Sequence, residues 1–279
     1  MQQETEARRA DLTPGANDFS LRTGKIGGDM NQPHESLARN AANFVPLSPL
    51  TFLGYAARVY PNQPAIVYGG ISRSWAETES RCCALASALE CAGLARGDVV
   101  AVMATNTPEL YEAHFGVPMA GCVLNALNYR LDARTLAYIF DHADIRCLIT
   151  DREFSGIISE ALALAKVSPL VIDINDPHAP DGDLIGAMDY EAFLATGDPG
   201  FNWHLPEDEW QTIAINYTSG TTGNPKGVVY HHRGAYVNAT ANTLEWDMGM
   251  HPVYLWTLPM FHCNGWCFPW TMSAIIMNC

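Results

Sequence analysis

The chain has 279 residues, of which 48% are hydrophobic, and this is enough for one large domain or two ordinary ones with packed cores. Its formal net charge of −14 argues against nucleic acid or an anionic membrane as a partner. The eight cysteines include no C-x-x-C spacing and no apolar signal segment opens the chain, so we expect a reducing, cytoplasmic location. The most apolar stretch, 253–277, is interrupted by prolines and polar side chains, so no membrane span is expected.

Residues 1–45 are polar, rich in glycine and asparagine and without hydrophobic periodicity, so a mobile lead-in is predicted there. Beyond them, short apolar runs typical of buried strands alternate with stretches of helical spacing. This alternation predicts an α/β fold with mainly parallel sheets flanked by helices. The predicted strands lie at 65–68, 99–103, 122–124, 147–149, 170–172, 213–217 and 228–230, and the predicted helices at 52–57, 75–92, 108–117, 132–142 and 154–165.

Local signals predict several helix boundaries. Ser74 and Glu77 have the spacing of a capping box, and Thr107 followed by Pro108 predicts the start of the next helix. We expect Pro118 to bend that helix or to end it near Val117, because a proline removes a backbone donor from the helix.

A change in composition predicts a boundary inside the chain. Residues 173–209 are acidic, rich in proline and glycine, and contain neither lysine nor arginine. Such a segment is typical of a boundary between subdomains. We therefore expect a first α/β subdomain over 46–203 and the start of a second over 204–279, with a parallel sheet that begins after Ile213.

The densest polar stretch is Y-T-S-G-T-T-G-N-P-K-G, residues 217–227, between two apolar runs that both read as buried strands. Glycines let a backbone approach a ligand closely, successive N–H groups form an anion-binding nest, and a lysine adds a flexible positive charge, so the stretch suits a polyphosphate. A polar surface turn is the alternative that composition leaves open. The P-loop of kinases is disfavoured, because it needs glycine at Pro225 and a hydroxyl at Gly227. The candidate ligand-binding residues are Thr218, Ser219, Gly220, Thr221, Thr222, Gly223 and Lys226.

The segment 218–227, T-S-G-T-T-G-x-P-K-G, resembles the signature loop of the AMP-forming adenylate synthetases. That superfamily contains acyl-CoA synthetases, firefly luciferase and the adenylation domains of peptide synthetases. The resemblance implies that the seven candidate residues bind ATP, that the hydroxyl of Thr221 contributes to a Mg²⁺ site, and that an acyl adenylate forms with release of pyrophosphate. It also implies an incomplete N-terminal domain of an adenylate-forming enzyme.

A second dense patch, L-P-M-F-H-C-N-G-W, covers residues 258–266. Spacing alone leaves open a zinc site at His262, Cys263 and Cys267, or a buried aromatic turn between Phe261 and Trp270. The pattern L-P-x-F-H-x-x-G is similar to the second block of acyl-CoA synthetases, which places a histidine and an aromatic wall beside the acyl and adenylate site. The resemblance assigns a catalytic role to His262, where an imidazole suits negative charge that moves from carboxylate to phosphoryl oxygens.

Segments 47–53, 112–121 and 124–128 resemble the branch of medium-chain, methylthiopropionyl and plant benzoyl-type CoA ligases. The implied function is ATP-dependent activation of a fatty or aryl carboxylic acid to an acyl adenylate and then an acyl-CoA, with Mg²⁺ and with CoA as co-substrate. Members of that family are much longer, so we expect the N-terminal part of such an enzyme, inactive alone. We also expect it to aggregate through an open sheet edge and an exposed aromatic patch at 261–270. The alternative is a non-catalytic ATP-binding or interaction fragment.

Overall fold

The computed structural model describes residues 39–218 and 223–276. Its strands are β1 (Pro64–Tyr68), β2 (Ile71–Ser74), β3 (Val99–Met103), β4 (Val123–Ala126), β5 (Ile145–Asp151), β6 (Leu170–Ile174), β7 (Met188–Asp189), β8 (Thr212–Tyr217) and β9 (Gly227–His231). Its helices are α1 (Leu50–Val59), α2 (Trp75–Cys91), α3 (Pro108–Met119), α4 (Ala133–Ala143), α5 (Ser155–Leu164), α6 (Tyr190–Leu194), α7 (His232–Glu245), the single turn α8 (Cys263–Trp266) and α9 (Phe268–Ala274).

One sheet of seven strands organises the described residues, in the order β7-β6-β5-β3-β4-β8-β9. Each neighbouring pair from β7 to β8 is parallel, whereas β9 lies antiparallel to β8 at the sheet edge. Strands β1 and β2 form a separate antiparallel hairpin. The prediction of an α/β fold with a mainly parallel sheet is confirmed.

Both faces of the sheet are covered, as the alternating apolar pattern predicts. Along β3, Val100 and Val102 point into the apolar core that contains α1, α2 and α3. The intervening residues Ala101 and Met103 pack instead into a smaller core with α4 and α5. This alternation follows from the two-residue period of a strand.

The predicted helix starts are confirmed. Ser74 and Glu77 form a capping box at α2, in which each side chain bonds the backbone N–H of the other residue. Thr107 caps α3 by accepting a hydrogen bond from the N–H of Leu110, with Pro108 in the first turn.

Helix α3 contains Pro118 and ends at Met119, so it continues slightly past the predicted end. Pro118 has no N–H to give to the carbonyl of His114, four residues earlier. The indole Nε1 of Trp270 donates to that carbonyl at 3.0 Å. An acceptor that the proline leaves unused is therefore satisfied by α9.

Strand β8 joins the sheet of the preceding strands, because Leu124 of β4 pairs with Ala214. The expectation that a parallel sheet begins after Ile213 is therefore wrong, because β8 belongs to the sheet that the preceding strands form. The apolar runs on both sides of the loop were expected to form buried strands. This is wrong for the edge strand β9, since its Val228 and Val229 are about half exposed. The proposed division into 46–203 and 204–279 stays a prediction, and strands on both sides of it belong to one sheet.

The aromatic segment 261–270 is mostly buried, so the expected exposed patch is wrong. Phe261, Phe268 and Trp270 pack into the core, and Trp266 is the exception with 57% of its surface exposed. Within the described part of the chain, no helix combines the length and apolar character needed to cross a membrane.

Candidate functional site

A cavity of about 340 Å³ lies where the carboxyl ends of β4 and β8 meet. Both polar stretches predicted from the sequence reach it, one through Thr218 and the other through His262. None of its described lining residues is acidic, although the whole chain carries a net charge of −14. The lining residues are Asn125, Ala126, Leu127, Asn128, Leu131, Ile139, Asn216, Tyr217, Thr218, Val228, Tyr230, Phe261, His262 and Cys263.

The base of the predicted phosphate loop is closed by two hydrogen bonds. The N–H of Thr218 donates to the carbonyl of Lys226 at 3.0 Å, and the N–H of Lys226 donates to Thr218 Oγ1 at 3.2 Å. Both residues are exposed, so the lysine side chain is available to an anion. Ser219, Gly220, Thr221 and Thr222, including the predicted Mg²⁺ ligand, lie outside the described residues.

The two described glycines of the loop differ in the space around them. Apart from its chain neighbours, no described atom lies within 4 Å of a Cβ added at Gly223. At Gly227, an added Cβ would lie 2.7 Å from Cδ1 of Ile215, so the end of that β8 side chain would have to shift.

His262 is exposed at the cavity and is held by its backbone neighbours. The side chain of Asn216 donates from Nδ2 to the carbonyl of Phe261 at 3.1 Å, and its Oδ1 accepts from Nδ2 of Asn264 at 2.8 Å. One buried asparagine of β8 thus forms hydrogen bonds to residues before and after His262.

The residues after His262 form a left-handed turn. Cys263, Asn264, Gly265, Trp266 and Cys267 all have φ between 51° and 63°. Residues other than glycine adopt this region at a cost of about 1 kcal/mol or more each. Such strain persists only where surrounding contacts stabilise it, and it clusters at functional sites.

A second asparagine fixes the segment that leads to His262. Asn106, which follows β3, donates from Nδ2 to the carbonyl of Leu258 at 2.8 Å and accepts at Oδ1 from the N–H of Met260 at 2.8 Å. Sequence reasoning missed both Asn106 and Asn216. A polar amide inside the apolar run 213–217 was the available signal, because a buried amide needs hydrogen-bond partners.

Tyr217 forms another wall of the cavity and is anchored to α4. Its hydroxyl lies 2.8 Å from Nδ1 of His142. Burial, with a smaller contribution from Tyr138, raises the pKa of Tyr217 to about 12. The phenol is therefore neutral at pH 7 and offers a hydroxyl without charge.

The zinc alternative finds no support in the described part of the chain. No group of three or more His, Cys, Asp or Glu side chains is arranged there to hold a metal ion. Burial raises the pKa of Cys267 to about 11, which disfavours the thiolate that zinc requires. Nδ2 of Asn238 donates a hydrogen bond to Sγ of Cys267 at 3.1 Å.

A mainly parallel sheet thus brings the base of a glycine-containing loop and a histidine to one cavity. The sequence profile of the AMP-binding enzyme family matches residues 53–276, and the chain belongs to that family.

Among curated relatives, a peroxisomal acetate/butyrate–CoA ligase of Arabidopsis thaliana is 47% identical over an aligned length of 253, and the match covers 86% of this chain and 44% of the relative. An acetate–CoA ligase of Humulus lupulus is 45% identical over an aligned length of 263, with coverage of 90% of this chain and 46% of the relative. A peroxisomal benzoate–CoA ligase of Arabidopsis thaliana is 46% identical over an aligned length of 249, with coverage of 86% of this chain and 43% of the relative. The chain spans less than half the length of these relatives.

Solved structures support the fold assignment. An anthranilate CoA ligase in complex with anthranoyl-AMP matches with a TM-score of 0.75 and 18% identity, over 86% of this chain and 46% of that protein. The N-terminal domain of a Mycobacterium tuberculosis enzyme matches with a TM-score of 0.71 and 22% identity, over 83% of this chain and 56% of that protein. At this level of identity the likeness concerns the fold.

Proposed function

We propose that this chain is the nucleotide-binding part of an acid–CoA ligase, which joins a fatty or aryl carboxylic acid to CoA at the expense of ATP. In the first step a carboxylate oxygen attacks the α-phosphorus of ATP and pyrophosphate leaves. In the second step the thiol of CoA attacks the acyl carbon and AMP leaves. The observation that carries the proposal is the meeting of Thr218 and His262 at one cavity without acidic lining.

The residues at this cavity fit a phosphate ligand. Lys226 is exposed beside Thr218, which pairs with it, and supplies a positive charge for phosphate oxygens. The predicted role of the loop residues Ser219 to Gly223 is to surround those phosphates. A Mg²⁺ ion, with Thr221 as a ligand, would neutralise charge on the leaving pyrophosphate.

His262 is proposed to act on the reacting carboxyl group. Negative charge moves from the carboxylate to phosphoryl oxygens as the adenylate forms, and an imidazole N–H is a suitable donor to the developing charge. Asn216 and Asn106 keep the backbone around His262 fixed, which reduces the reorganisation needed during the reaction.

A variant of Lys226 tests nucleotide binding directly. Lys226→Ala should weaken ATP binding by about 1 to 3 kcal/mol, the range for loss of a charge-assisted contact. Lys166→Ala is the matched control, because Lys166 is also exposed and lies after α5, outside the cavity lining. Equal ATP affinity of both variants and the wild type in titration calorimetry would contradict the phosphate-binding loop.

The second candidate function for these 279 residues is nucleotide binding without catalysis. The ligase should release pyrophosphate from ATP in the presence of a carboxylic acid, whereas a protein that only binds nucleotide should not. We expect nucleotide binding but no complete acyl-CoA synthesis by the 279 residues alone. A cytoplasmic location remains part of the proposal, while several relatives are named as peroxisomal.

A further inference from the structure

A second cavity, of about 250 Å³, lies at the other end of β4 and β8 from the candidate functional site. Val123 and Thr212, with which these two strands begin, line it, whereas the first cavity lies where the same parallel strands end. None of its described lining residues is acidic, in a chain with a net charge of −14. The polar lining residues of this second cavity, called the Arg96 cavity below, are Arg96, His204, Gln211, Thr212 and His232.

His232 brings an unpaired ring nitrogen to the Arg96 cavity. The residue is 5% exposed, and its Nδ1 lies 2.9 Å from Oγ of Ser48. Nε2, on the other side of the ring, has no hydrogen-bond partner within the part of the chain that the structure describes. It is not one of the fully enclosed atoms that lack a partner, so it keeps accessible surface, and the cavity is the space that His232 lines.

The contact with Ser48 determines which ring nitrogen of His232 carries a proton. The N–H of Leu50 donates to Oγ of Ser48 at 3.4 Å, and this buried hydroxyl needs an acceptor for its own proton. Nδ1 of His232 is that acceptor among the described residues. Burial, with smaller contributions from Arg96 and His231, lowers the pKa of His232 to about 4, so the ring is neutral at pH 7. Nε2 therefore carries the ring proton and is a hydrogen-bond donor.

Arg96 and Gln211 add further donors to the same cavity. Nη1 of Arg96 donates to Oε1 of Gln211 at 3.1 Å, which occupies the amide oxygen and leaves the amide nitrogen as a donor. The guanidinium keeps other N–H groups, whose planar arrangement matches two oxygens of one anion. The cavity thus combines one positive charge with donors from three side chains.

We propose that the Arg96 cavity binds a phosphate group, with Arg96 on two of its oxygens and Gln211 and His232 as further donors. A carboxylate has only two oxygens, which one guanidinium can bind, whereas three donor side chains suit the three terminal oxygens of a phosphate. This site is separate from the predicted phosphate loop, because Thr218 and Lys226 lie beyond the opposite end of β8.

The test uses NMR of the 279-residue protein with ¹⁵N-labelled histidine, and it follows the ring nitrogens of His232 as inorganic phosphate is added at pH 7. Phosphate should shift the Nε2 signal until it saturates, whereas sodium chloride at the same ionic strength should not. Arg96→Gln should raise the apparent Kd about ten-fold or more, because a charge-assisted contact is lost. Arg134→Gln is the matched control, since Arg134 is exposed and lines neither cavity.

Arg96 is itself exposed, so its variants should keep the fold, and Arg96→Lys should weaken phosphate less than Arg96→Gln because the charge remains. Lys226→Ala should leave the response of His232 unchanged, whereas its loss there would place the phosphate at the loop and overturn the inference. Absence of a saturable shift, equal binding by wild type and Arg96→Gln, or equally tight binding of acetate would also overturn it. Glycerol 3-phosphate as a second probe shows whether a phosphate monoester or the free ion binds more tightly.

Discussion

Nδ2 of Asn264 donates to Oδ1 of Asn216 at 2.8 Å, and both residues are buried. Asn264 lies in the left-handed turn that follows His262, whereas Asn216 belongs to β8, which leads into the predicted phosphate loop. Because Asn216 also donates to the carbonyl of Phe261, it joins the two polar stretches of the site. Asn216 therefore links the strand that precedes the loop to the segment that contains His262.

Asn216→Ala should therefore destabilise the protein and displace His262. The change leaves Nδ2 of Asn264 and the carbonyl of Phe261 without their partner, at a cost of about 2 kcal/mol or more in the free energy of unfolding. Asn128→Ala is the control, because Asn128 makes an exposed, local hydrogen bond to the N–H of Arg130. Urea unfolding measures both, and an equal, small loss in the two variants would contradict the joining role of Asn216.

Gly265→Ala tests the strained turn. Gly265 has φ of +57°, and an added Cβ would lie 2.8 Å from Cζ2 of Trp256. The combined backbone and packing cost should be about 2 kcal/mol or more. Gly249→Ala is the matched change, since Gly249 has neither a positive φ nor an atom within 4 Å of an added Cβ. Thermal unfolding of the two variants should separate clearly, and equal midpoints would show that the turn is not formed as described.

The loop glycines should differ in the same way. Gly227→Ala brings a Cβ against Ile215 and should loosen the β8–β9 pairing, with a loss of about 1 to 3 kcal/mol. Gly223→Ala should be tolerated in the fold, because no described atom outside its chain neighbours lies within 4 Å of an added Cβ. Hydrogen exchange of the β9 amides reports the pairing, and faster exchange in the Gly223 variant than in the Gly227 variant would reverse the assignment.

The stability of the protein should fall on acidification through His114. Burial lowers the pKa of His114 to about 4, and the neutral ring is held by a 2.7 Å hydrogen bond from Nδ1 to the carbonyl of Leu110. The unfolded chain binds a proton near pH 6.5. The contribution of His114 is therefore complete above pH 6.5 and is lost as the pH falls towards 4, by about 3 kcal/mol.

Urea unfolding at pH 7 and pH 4.5 measures this loss. His114→Gln should lose less stability on acidification than the wild type, although it is less stable at pH 7. His142→Gln is the control, because His142 is exposed and contacts the hydroxyl of Tyr217. The same pH slope in wild type and His114→Gln would show that this imidazole is not kept neutral.

The open edge of the sheet should promote self-association. Strand β9 has a neighbour on one side only among the described residues, and its Val228 and Val229 are about half exposed. Unpaired backbone groups beside apolar side chains favour pairing with another chain. Val229→Lys should reduce association in sedimentation velocity, whereas Lys166→Ala, which lies elsewhere, should not. Unchanged association of Val229→Lys would exclude this edge as the contact.

The sequence predicts the sheet and helices well where local rules decide them. The buried run 99–103 and the capping box at Ser74 depend on neighbours within a few residues, and both were predicted correctly. The exposure of β9 was missed, because an apolar run does not reveal whether its strand is central or at an edge. The hydrogen bonds of Asn106 and Asn216 join segments distant in sequence, so no local periodicity reports them.

The parallel pairing of Leu124 with Ala214 also sets a condition on the folding of the chain. Bringing such distant segments together costs loop-closure entropy before any strand contact compensates, so this pairing belongs to the slow class of folding events. The β8–β9 hairpin is local by comparison. Because the cavity takes its walls from both β4 and β8, it cannot exist before they meet. The rate at which ligand binding recovers during refolding should therefore report the rate at which β4 and β8 pair.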